Sequence, residues 1–213
     1  MPGPTVEFWN ERFRSRTTGW DRGAVHPQLL DWMASGELQP CRILVPGCGA
    51  GHEVLHLAAA GFEVTALDYA EQAVDLVKQR LCKRGLKAEV LQADVRLWNA
   101  PCQFDAIWEQ TCLCALYPDD WTLYAERLQR WLSPQGRLFA LFMQSAKASA
   151  EEGWIQGPPY HCDILAMRAV FPSSQWQWPK PPYPRVPHPG GSAELALILT
   201  HCGLNRSAGV RQS

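Results

Sequence analysis

The chain has 213 residues, enough for one domain with a sizeable core, and its 46% hydrophobic and 19% charged residues indicate a globular protein rather than a disordered one. The net charge of −1 and the lack of a basic run argue against binding through phosphates, so we expect no nucleic-acid partner. No apolar run approaches the ~20 residues of a membrane span, and the N-terminus lacks the apolar core of a signal peptide. We therefore expect a cytoplasmic protein with no membrane partner.

The eight cysteines are expected to be free thiols. Their number is even, but a mid-sized chain without a secretion signal normally keeps its thiols reduced. No C-x-x-C pair occurs, and Cys112 and Cys114 have no histidine or second cysteine pair at zinc-like spacing. The sequence therefore predicts small buried hydrophobic side chains at these positions and no metal site.

From Cys41 onward, short apolar strands alternate with helical segments. Strands are predicted over residues 42–46, 62–68, 88–94, 104–110 and 137–144, and helices over 53–61, 70–85 and 119–133, with a turn at 134–136. Asp119 or Asp120 is the expected N-cap of the third helix. This alternation is typical of an α/β fold with a doubly wound, Rossmann-like, mostly parallel sheet.

After residue 153 the pattern becomes less regular. It predicts a helix over 162–171, a strand over 174–178 and a last strand over 194–202; six of the 17 prolines lie in 179–191, which excludes a helix or central strand there. The last two strands are expected to form an antiparallel edge hairpin, completing a seven-stranded sheet. We expect a single domain (1–213) with an N-terminal lid (1–40), a cofactor-binding core (41–144), a substrate-side and edge segment (145–203) and a loose tail (204–213).

A glycine-rich loop, Gly47–Gly51, directly follows the first strand and precedes the first helix. Its glycines let the backbone pass close to a ligand, and the helix N-terminus offers free N–H groups. Asp68 ends the second strand, where a carboxylate can accept hydrogen bonds from both hydroxyls of a ribose. Asp94 ends the third strand and either faces an adenine amino group, with the Val95 N–H beside it, or caps a helix. These features would meet at one edge of the sheet and indicate a nucleoside-like ligand.

The loop spacing separates two classes of cofactor. Dinucleotides usually require G-x-G-x-x-G, whose third glycine admits helix–strand packing. Here the spacing is G-x-G-x-G and His52 follows. This favours S-adenosyl-L-methionine, which has no pyrophosphate.

The segment ILVPGCGAGHEV (43–54) resembles the thiopurine S-methyltransferase superfamily, and within it the plant-type thiol and halide methyltransferases and their bacterial relatives. Further matches are FWNERF and GWDRGAVHPQLL near the N-terminus, QADV, FDAIWEQTCLCAL, LSPQGRL and GPPY, so the likeness spans roughly residues 8–160. It implies a class I S-adenosylmethionine-dependent methyltransferase. The implied acceptor is a small soft nucleophile, above all a thiol, and also a selenide, tellurite or halide.

The resemblance also implies roles for individual residues. Trp9 and Trp20 would help to enclose the cofactor, and Phe13 stands where the family often has a tryptophan. Tyr160 would face the acceptor, or simply pack. The remaining cofactor contacts implied are Gly47, Gly49, Gly51, Asp68, Tyr69, Asp94, Val95, Glu109 and Gln110.

Proton removal from the acceptor is the least defined step, since an acidic thiol or a halide needs no base. The candidate catalytic residues are Tyr160, His161 and Glu109, with His161 favoured as a base because it neighbours Tyr160. His26 is also a candidate, with a capping or packing role as the alternative, and His52 is expected to be structural. Tryptophans crowd near both ends and suggest aromatic covers over a site: Trp9, Trp20, Trp32, Trp154, Trp176 and Trp178.

Other functions are compatible with the sequence. The acceptor could be an oxygen or nitrogen nucleophile, because the proline-rich segment 179–191 departs from the family. A nicotinamide-dependent oxidoreductase can use a similar sheet. A catalytically silent protein that displays the proline-rich segment to a partner is a third alternative. We expect a monomer that binds a small-molecule substrate.

Overall fold

The structure is a computed structural model that describes residues 3–145 and 155–202. The strands are β1 (Arg42–Pro46), β2 (Glu63–Asp68), β3 (Glu89–Gln92), β4 (Phe104–Gln110), β5 (Leu132–Gln144), β6 (Trp176–Gln177), β7 (Arg185–Pro187) and β8 (Ala193–His201). The helices are α1 (Val6–Arg14), α2 (Pro27–Ala34), α3 (His52–Ala59), α4 (Glu71–Arg84), α5 (Trp121–Trp131) and α6 (Ile164–Val170). The predicted cover residue Trp154 and the predicted tail 204–213 lie outside the described residues.

The described strands form one sheet in the order β3-β2-β1-β4-β5-β8-β6, with β7 also paired to β8. Strands β1 to β5 are mutually parallel, and β8 runs antiparallel to β5. The central strands are buried along nearly their whole length, because helices cover both faces of a parallel sheet. The prediction of a doubly wound, mostly parallel sheet with an antiparallel edge is confirmed.

The predicted helices of the core form with shifts of one or two residues at their ends. Helix α4 ends at Gly85, whose φ of 62° is the left-handed conformation that glycine adopts at little cost. Helix α5 starts later than predicted, after a 3₁₀ turn at Pro118–Asp120. Asp120 does occupy its N-cap position, but makes no side-chain cap bond there, because its carboxylate pairs with Arg96 instead.

Two helices form in the N-terminal segment, for which the sequence indicated only a lid. Helix α1 starts after Thr5, whose hydroxyl accepts a hydrogen bond from the Phe8 N–H at 3.3 Å. Helix α2 starts after His26, whose Nδ1 accepts from the Gln28 N–H at 3.1 Å. The imidazole thus caps a helix, a role that cannot be recognised from residue type because histidine is not a favoured cap.

The predicted turn at 134–136 is part of β5 in the structure. Leu132 pairs with Phe104 and Arg137 pairs with Ala106, so four residues of β5 lie opposite one residue of β4. Gln135 adopts a φ of 66° within this bulge. The strand therefore starts earlier than predicted, and the turn appears as a bulge inside it.

The sheet has eight strands among the described residues, one more than the seven predicted. The short strands β6 and β7 both pair with β8, β6 near its C-terminal end and β7 near its N-terminal end. Strand β7 lies inside the proline-rich segment, for which the sequence excluded a helix or central strand and predicted no strand. It forms because an edge strand needs few N–H donors: the Pro184 carbonyl accepts from the Ala196 N–H at 2.9 Å.

The tryptophans divide into core residues and cavity residues. Trp32 and Trp176 are buried in the two hydrophobic clusters that flank the sheet, and Trp178 packs against Phe142. None of these three lines the cavity described below, so their predicted role as covers is wrong. Each is instead used to bury apolar surface.

Candidate functional site

A cavity of about 420 Å³ opens at the carboxyl ends of the parallel strands. This size is within the range of small-molecule sites. Its walls come from three parts of the chain: the turns after β1, β2, β3 and β4 with the end of β5, the N-terminal segment with α1, and two proline-containing segments near residues 158 and 189. The position agrees with the rule that ligands of such sheets bind beyond the strand ends.

The glycine loop forms the floor of the cavity. Gly47 and Gly49, with φ of 61° and 51°, both line it. A Cβ on Gly47 would lie 2.9 Å from the Cβ of Cys112, so the backbone must pass here without a side chain. Gly51 is set back from the cavity, where a Cβ would lie 2.5 Å from Val77 of α4. Two glycines therefore face the cavity, and the third permits helix packing.

Asp68 joins the loop to the end of β2. Its Oδ2 accepts from the Gly49 N–H at 2.8 Å, and its Oδ1 accepts from the Ala70 N–H at 2.9 Å. Burial raises the pKa of Asp68 to about 6, although these backbone bonds oppose the rise. Asp68 and its neighbour Tyr69 both line the cavity. The carboxylate is thus held in a fixed position at the cavity floor.

Asp94 lines the same cavity and is held by Arg96. Arg96 Nη2 donates to Asp94 Oδ2 at 2.7 Å, Nε donates to Oδ1 at 2.9 Å, and Nη1 donates to Asp120 at 3.0 Å. Partial burial raises the pKa of Asp94, but the bonds and charge of Arg96 outweigh this and lower it overall. Val95, between them, is buried and also lines the cavity.

Aromatic side chains of the N-terminal segment cover the cavity. Trp9 and Trp20 meet edge to face with ring centroids 5.4 Å apart, and Phe13 lies 5.9 Å from Trp20. All three line the cavity. Helix α1 buries none of its residues fully, and it is attached to α4 through the Gln72 N–H, which donates to the Asn10 side chain at 3.4 Å. The lid therefore rests on the fold rather than inside its core.

The predicted catalytic residue Glu109 does not line the cavity. It is 1% exposed at the end of β4, where Oε1 accepts from the Leu113 N–H at 2.7 Å and Oε2 has no partner among the described residues. Burial, with a smaller effect of Glu194, raises the pKa of Glu109 to about 7. Its carboxylate supports the turn that carries Cys112 and Cys114, two cavity residues. Its catalytic role stays a prediction that this placement does not support.

Tyr160 and His161 are also absent from the cavity lining. The Tyr160 ring packs edge to face on Tyr117 at 5.7 Å and against Gly157, and its backbone N–H donates to the Cys114 carbonyl at 2.7 Å. His161 is half-buried. Tyr160 thus anchors the segment whose two preceding prolines do line the cavity, and the acceptor contact expected of it stays a prediction without support in this arrangement.

The other predicted residues have structural partners. Gln110 donates to Glu194 at 3.3 Å, and His52 bonds Asp21 at 2.9 Å. His26 is fully buried and pairs with Glu194 at 2.9 Å through Nε2. Gly51 and Gln110 lie along a smaller neighbouring cleft instead of the main cavity.

All eight cysteines are free thiols, as expected. Cys112 and Cys114 line the cavity, and burial raises the pKa of both. They therefore stay protonated and act as small apolar wall residues rather than nucleophiles. In residues 3–145 and 155–202, no group of three or more histidine, cysteine or acidic side chains could hold a metal ion.

Several cavity residues were not found from the sequence. Arg96 follows Asp94 by two residues, a local pairing that could have indicated it. His188 lies in the proline-rich segment, which carried no recognisable motif. Thr111 adopts a φ of 61°, uncommon for a β-branched residue, at the turn after β4. Met143 reaches the cavity from the end of β5.

Comparison with known proteins places the chain among methyltransferases. The family model for thiopurine S-methyltransferase matches residues 5–180. A probable thiol methyltransferase 2 from Arabidopsis thaliana is 29% identical over 165 residues, covering 76% of this chain and 70% of that protein. A thiopurine S-methyltransferase from Pseudomonas fluorescens SBW25 is 30% identical over 176 residues, covering 72% of this chain and 76% of that protein.

Solved structures share the fold at low sequence identity. The 1,6-didemethyltoxoflavin-N1-methyltransferase of Burkholderia thailandensis, solved with S-adenosylhomocysteine, has a TM-score of 0.74 at 18% identity and covers 93% of this chain and 87% of its own. No helix within the described residues is long and apolar enough to cross a membrane. Because the family model matches residues 5–180, most of the chain, the chain belongs to the thiopurine S-methyltransferase family and is an S-adenosylmethionine-dependent methyltransferase.

Proposed function

We propose that this protein transfers a methyl group from S-adenosylmethionine to the sulfur of a small thiol. The observation that carries the proposal is the cavity itself, which joins a glycine loop and a fixed carboxylate to an apolar wall under an aromatic lid. The family match adds that relatives are named as thiol, thiocyanate and thiopurine methyltransferases.

The cavity floor fits the methyl donor. A Cβ built on Gly49 would meet no atom within 4 Å, so the loop leaves open space where a ligand can approach the backbone. We infer that the Gly47–Gly51 loop holds the amino-acid part and that Asp68 accepts hydrogen bonds from the ribose hydroxyls. Asp94 and Val95 would border the adenine. The bound donor supplies an electrophilic methyl group on a sulfonium sulfur.

The aromatic lid residues would exclude water from the site and stabilise the positively charged sulfonium of the methyl donor. The faces of Trp9 and Trp20 would each attract a sulfonium by roughly 0.5–2 kcal/mol. Because an anionic acceptor and a cationic donor lose charge as they react, a dry site with few fixed charges favours the step. Holding the two partners in line would contribute most of the rate.

The acceptor side suits a soft, apolar nucleophile. Its wall includes Leu116, Met143, Pro158 and Pro159, all without charge. Such a surface binds a polarisable sulfur compound through packing. Oxygen or nitrogen methylation stays an alternative.

Methyl transfer from a labelled donor to a panel of acceptors tests the proposal. We expect an aliphatic thiol, an aromatic thiol and thiocyanate to be methylated at least ~10-fold faster than a phenol or an aniline. Faster reaction of the phenol or aniline would contradict the choice of sulfur. Binding of S-adenosylhomocysteine without turnover of any acceptor would instead indicate a catalytically silent binding protein. A change of the protein's fluorescence on titration with NADH would support the oxidoreductase alternative.

A further inference from the structure

His188 occupies a distinctive place in the cavity wall. It directly follows β7, and its backbone N–H donates to the Ser192 carbonyl at 2.9 Å, which closes the turn between β7 and β8. The residue is 8% exposed and lines the cavity. A buried imidazole that borders a ligand cavity needs an explanation beyond packing.

The hydrogen bonding of His188 defines its tautomer. Nδ1 lies 2.9 Å from the Pro189 carbonyl oxygen, which can only accept, so Nδ1 carries the proton. Nε2 is therefore the nitrogen with a free lone pair. This atom is buried and has no hydrogen-bond partner among the described residues. Nε2 is thus an unsatisfied acceptor in a residue that lines the cavity.

The charges around His188 come from two parts of the chain. Glu194 on β8 favours the protonated ring, while Arg22 and His26 of the N-terminal segment disfavour it. Burial is the largest effect, and the pKa of His188 lies below its ordinary value of 6.5. The imidazole is therefore neutral at pH 7, which is the form that a base requires.

The turn that carries His188 is attached to the lid. The Arg22 guanidinium donates to the Pro187 carbonyl, next to His188, and to Glu194 at 3.0 Å. Arg22 follows the lid residue Trp20 by two positions. These bonds thus attach the turn that carries the imidazole to the chain segment that directly follows the lid residue.

Four other titratable groups of the cavity, two carboxylates and two thiols, are already engaged or protonated. Both oxygens of Asp68 accept backbone hydrogen bonds, and both oxygens of Asp94 accept from Arg96. The two cavity thiols are protonated, as described above. His188 differs from all of these because its acceptor atom is free.

We propose that His188 is the catalytic base that removes the proton from neutral thiol acceptors, an inference that rests on the proposed thiol methylation. The S–H bond breaks and its proton goes to Nε2 of His188. The electron pair left on sulfur forms the new bond to the methyl carbon, while the bond between that carbon and the sulfonium sulfur of the donor breaks and leaves a neutral thioether. The imidazolium then releases its proton to solvent. An acceptor that arrives as an anion bypasses the first step.

The test compares His188→Gln with the unmodified protein on two acceptors, 2-mercaptoethanol, which carries a proton, and thiocyanate, which does not. We expect kcat/KM for the thiol to fall ~100-fold, a typical contribution of general-base catalysis, and kcat/KM for thiocyanate to change less than ~3-fold. His56→Gln, on α3 and outside the cavity lining, is the matched control and should leave both unchanged.

The pH profile and an NMR measurement add independent readouts. With the thiol as acceptor, kcat/KM of the unmodified protein should fall as the pH falls through the His188 pKa, which lies below 6.5. In the variant this fall should be missing, and kcat/KM should instead increase with pH as the thiol itself loses its proton. In ¹⁵N NMR of the ligand-free protein, the ring signal lost in His188→Gln should report the Nδ1–H tautomer.

The failures are distinguishable. Equal losses on both acceptors, an unchanged rate with the thiol, or an Nε2–H tautomer would overturn the role of His188 alone. If the unmodified protein methylates neither acceptor, the proposed function falls, and the base assignment falls with it.

Discussion

The two sides of the cavity are built by different kinds of contact. On the donor side, backbone groups fix the geometry: the Cys48 N–H donates to the Leu67 carbonyl at 2.9 Å, and the Ala93 N–H donates to the Asp68 carbonyl at 2.8 Å. On the acceptor side, the wall after β7 is attached through side chains to residues more than 160 positions away, such as Arg22 to Glu194. The acceptor wall can therefore change by substitution of a few side chains without altering the donor side.

Two buried glutamates, one on each side, have pKa values that are shifted in opposite directions. Glu109, at the end of the parallel strand β4, has no cationic partner among the residues that the structure describes, and burial raises its pKa to about 7. Burial alone would raise the pKa of Glu194, which lies on the antiparallel strand β8. Hydrogen bonds and charges from His26, His188 and Arg22 outweigh this effect and lower the pKa overall. The pH dependence of stability should therefore have opposite signs at the two positions.

The largest effect is expected on the donor side, at Gly51. In Gly51→Ala the new methyl would overlap Val77 at 2.5 Å, and alanine would be strained at a φ of 73°. Overpacking and the left-handed conformation together should lower the free energy of unfolding by about 4 kcal/mol, which corresponds to roughly 8–16 °C in Tm. Differential scanning calorimetry measures this directly.

Gly49→Ala is the matched control. Gly49 has a φ of 51° but open space around its Cβ, so only the conformational strain of about 1–2 kcal/mol applies. This variant should unfold nearer to the unmodified protein and yet bind S-adenosylhomocysteine more weakly, because Gly49 faces the cavity. Equal Tm losses in the two variants would contradict the division between packing and binding glycines.

The next effect concerns pH and Glu109. Its folded pKa of about 7 exceeds the ordinary 4.5, so the folded state binds more protons between these values and the free energy of unfolding falls as the pH rises through this window. The loss should be on the order of 3 kcal/mol by pH 8. In Glu109→Gln the amide oxygen can still accept from the Leu113 N–H, and this fall should disappear.

Urea unfolding at pH 5, 6, 7 and 8 provides the comparison. Parallel stability curves for the two proteins would show that Glu109 does not titrate in this range. Glu194→Gln is the contrasting variant: the stability that Glu194 contributes is present above pH 4.5 and is lost as the pH falls through its lowered folded pKa, so the variant should lose stability mainly above pH 4.5.

A smaller effect is expected on the acceptor side, at Arg22. Arg22→Met removes a side chain that is 18% exposed and leaves Glu194 without this cation. If the pair were fully buried, the free energy of unfolding should fall by about 3–5 kcal/mol. Because Arg22 is partly exposed, we expect a fall of about 2 kcal/mol. The KM for a thiol acceptor should rise, while the Kd for S-adenosylhomocysteine should change less than ~3-fold.

Arg130→Met controls for the loss of an arginine, since its pair with Glu126 is exposed and spans 3.9 Å. That pair should contribute less than ~0.5 kcal/mol. A rise in the S-adenosylhomocysteine Kd as large as the rise in KM would show that Arg22 serves the donor side as well.

The sequence predicted the donor side well because its signals are local. The loop Gly47–Gly51 and the acids at two strand ends follow from a strand–turn–helix pattern, and the structure gathers most of them around one cavity. Gly51 was taken as a ligand contact because glycine type does not tell whether the missing Cβ faces a ligand or a helix.

The acceptor side was predicted less well because it depends on distant contacts. His188 has no local motif, and its unpaired Nε2 becomes visible only when the turn after β7 is placed against the lid. Conversely, Tyr160, His161 and Glu109 carry side chains suited to the chemistry, but none of the three lines the cavity. Strand β7 was missed because prolines are excluded from central strands but are tolerated at an edge.

The smallest change tests the aromatic lid. Trp9→Ala removes a ring face from the cavity, and S-adenosylmethionine differs from S-adenosylhomocysteine by the methyl group and positive charge of the sulfonium. The variant should therefore weaken binding of the cation by about 2–5-fold more than binding of the neutral product. Leu165→Ala, exposed on α6 and outside the cavity lining, should leave this ratio unchanged. Equal weakening of both ligands would mean that Trp9 contributes packing only.

The central claim is that the edge formed by the glycine loop and Asp68 holds the methyl donor, and calorimetric titration with S-adenosylhomocysteine tests it most directly. We expect saturable binding to the unmodified protein, a Kd at least ~10-fold higher for Asp68→Ala through loss of hydrogen bonds to a charged group, and an unchanged Kd for the surface control Asp105→Ala. Circular dichroism would confirm that both variants are folded. No binding to the unmodified protein, or the same Kd in Asp68→Ala, would contradict the account.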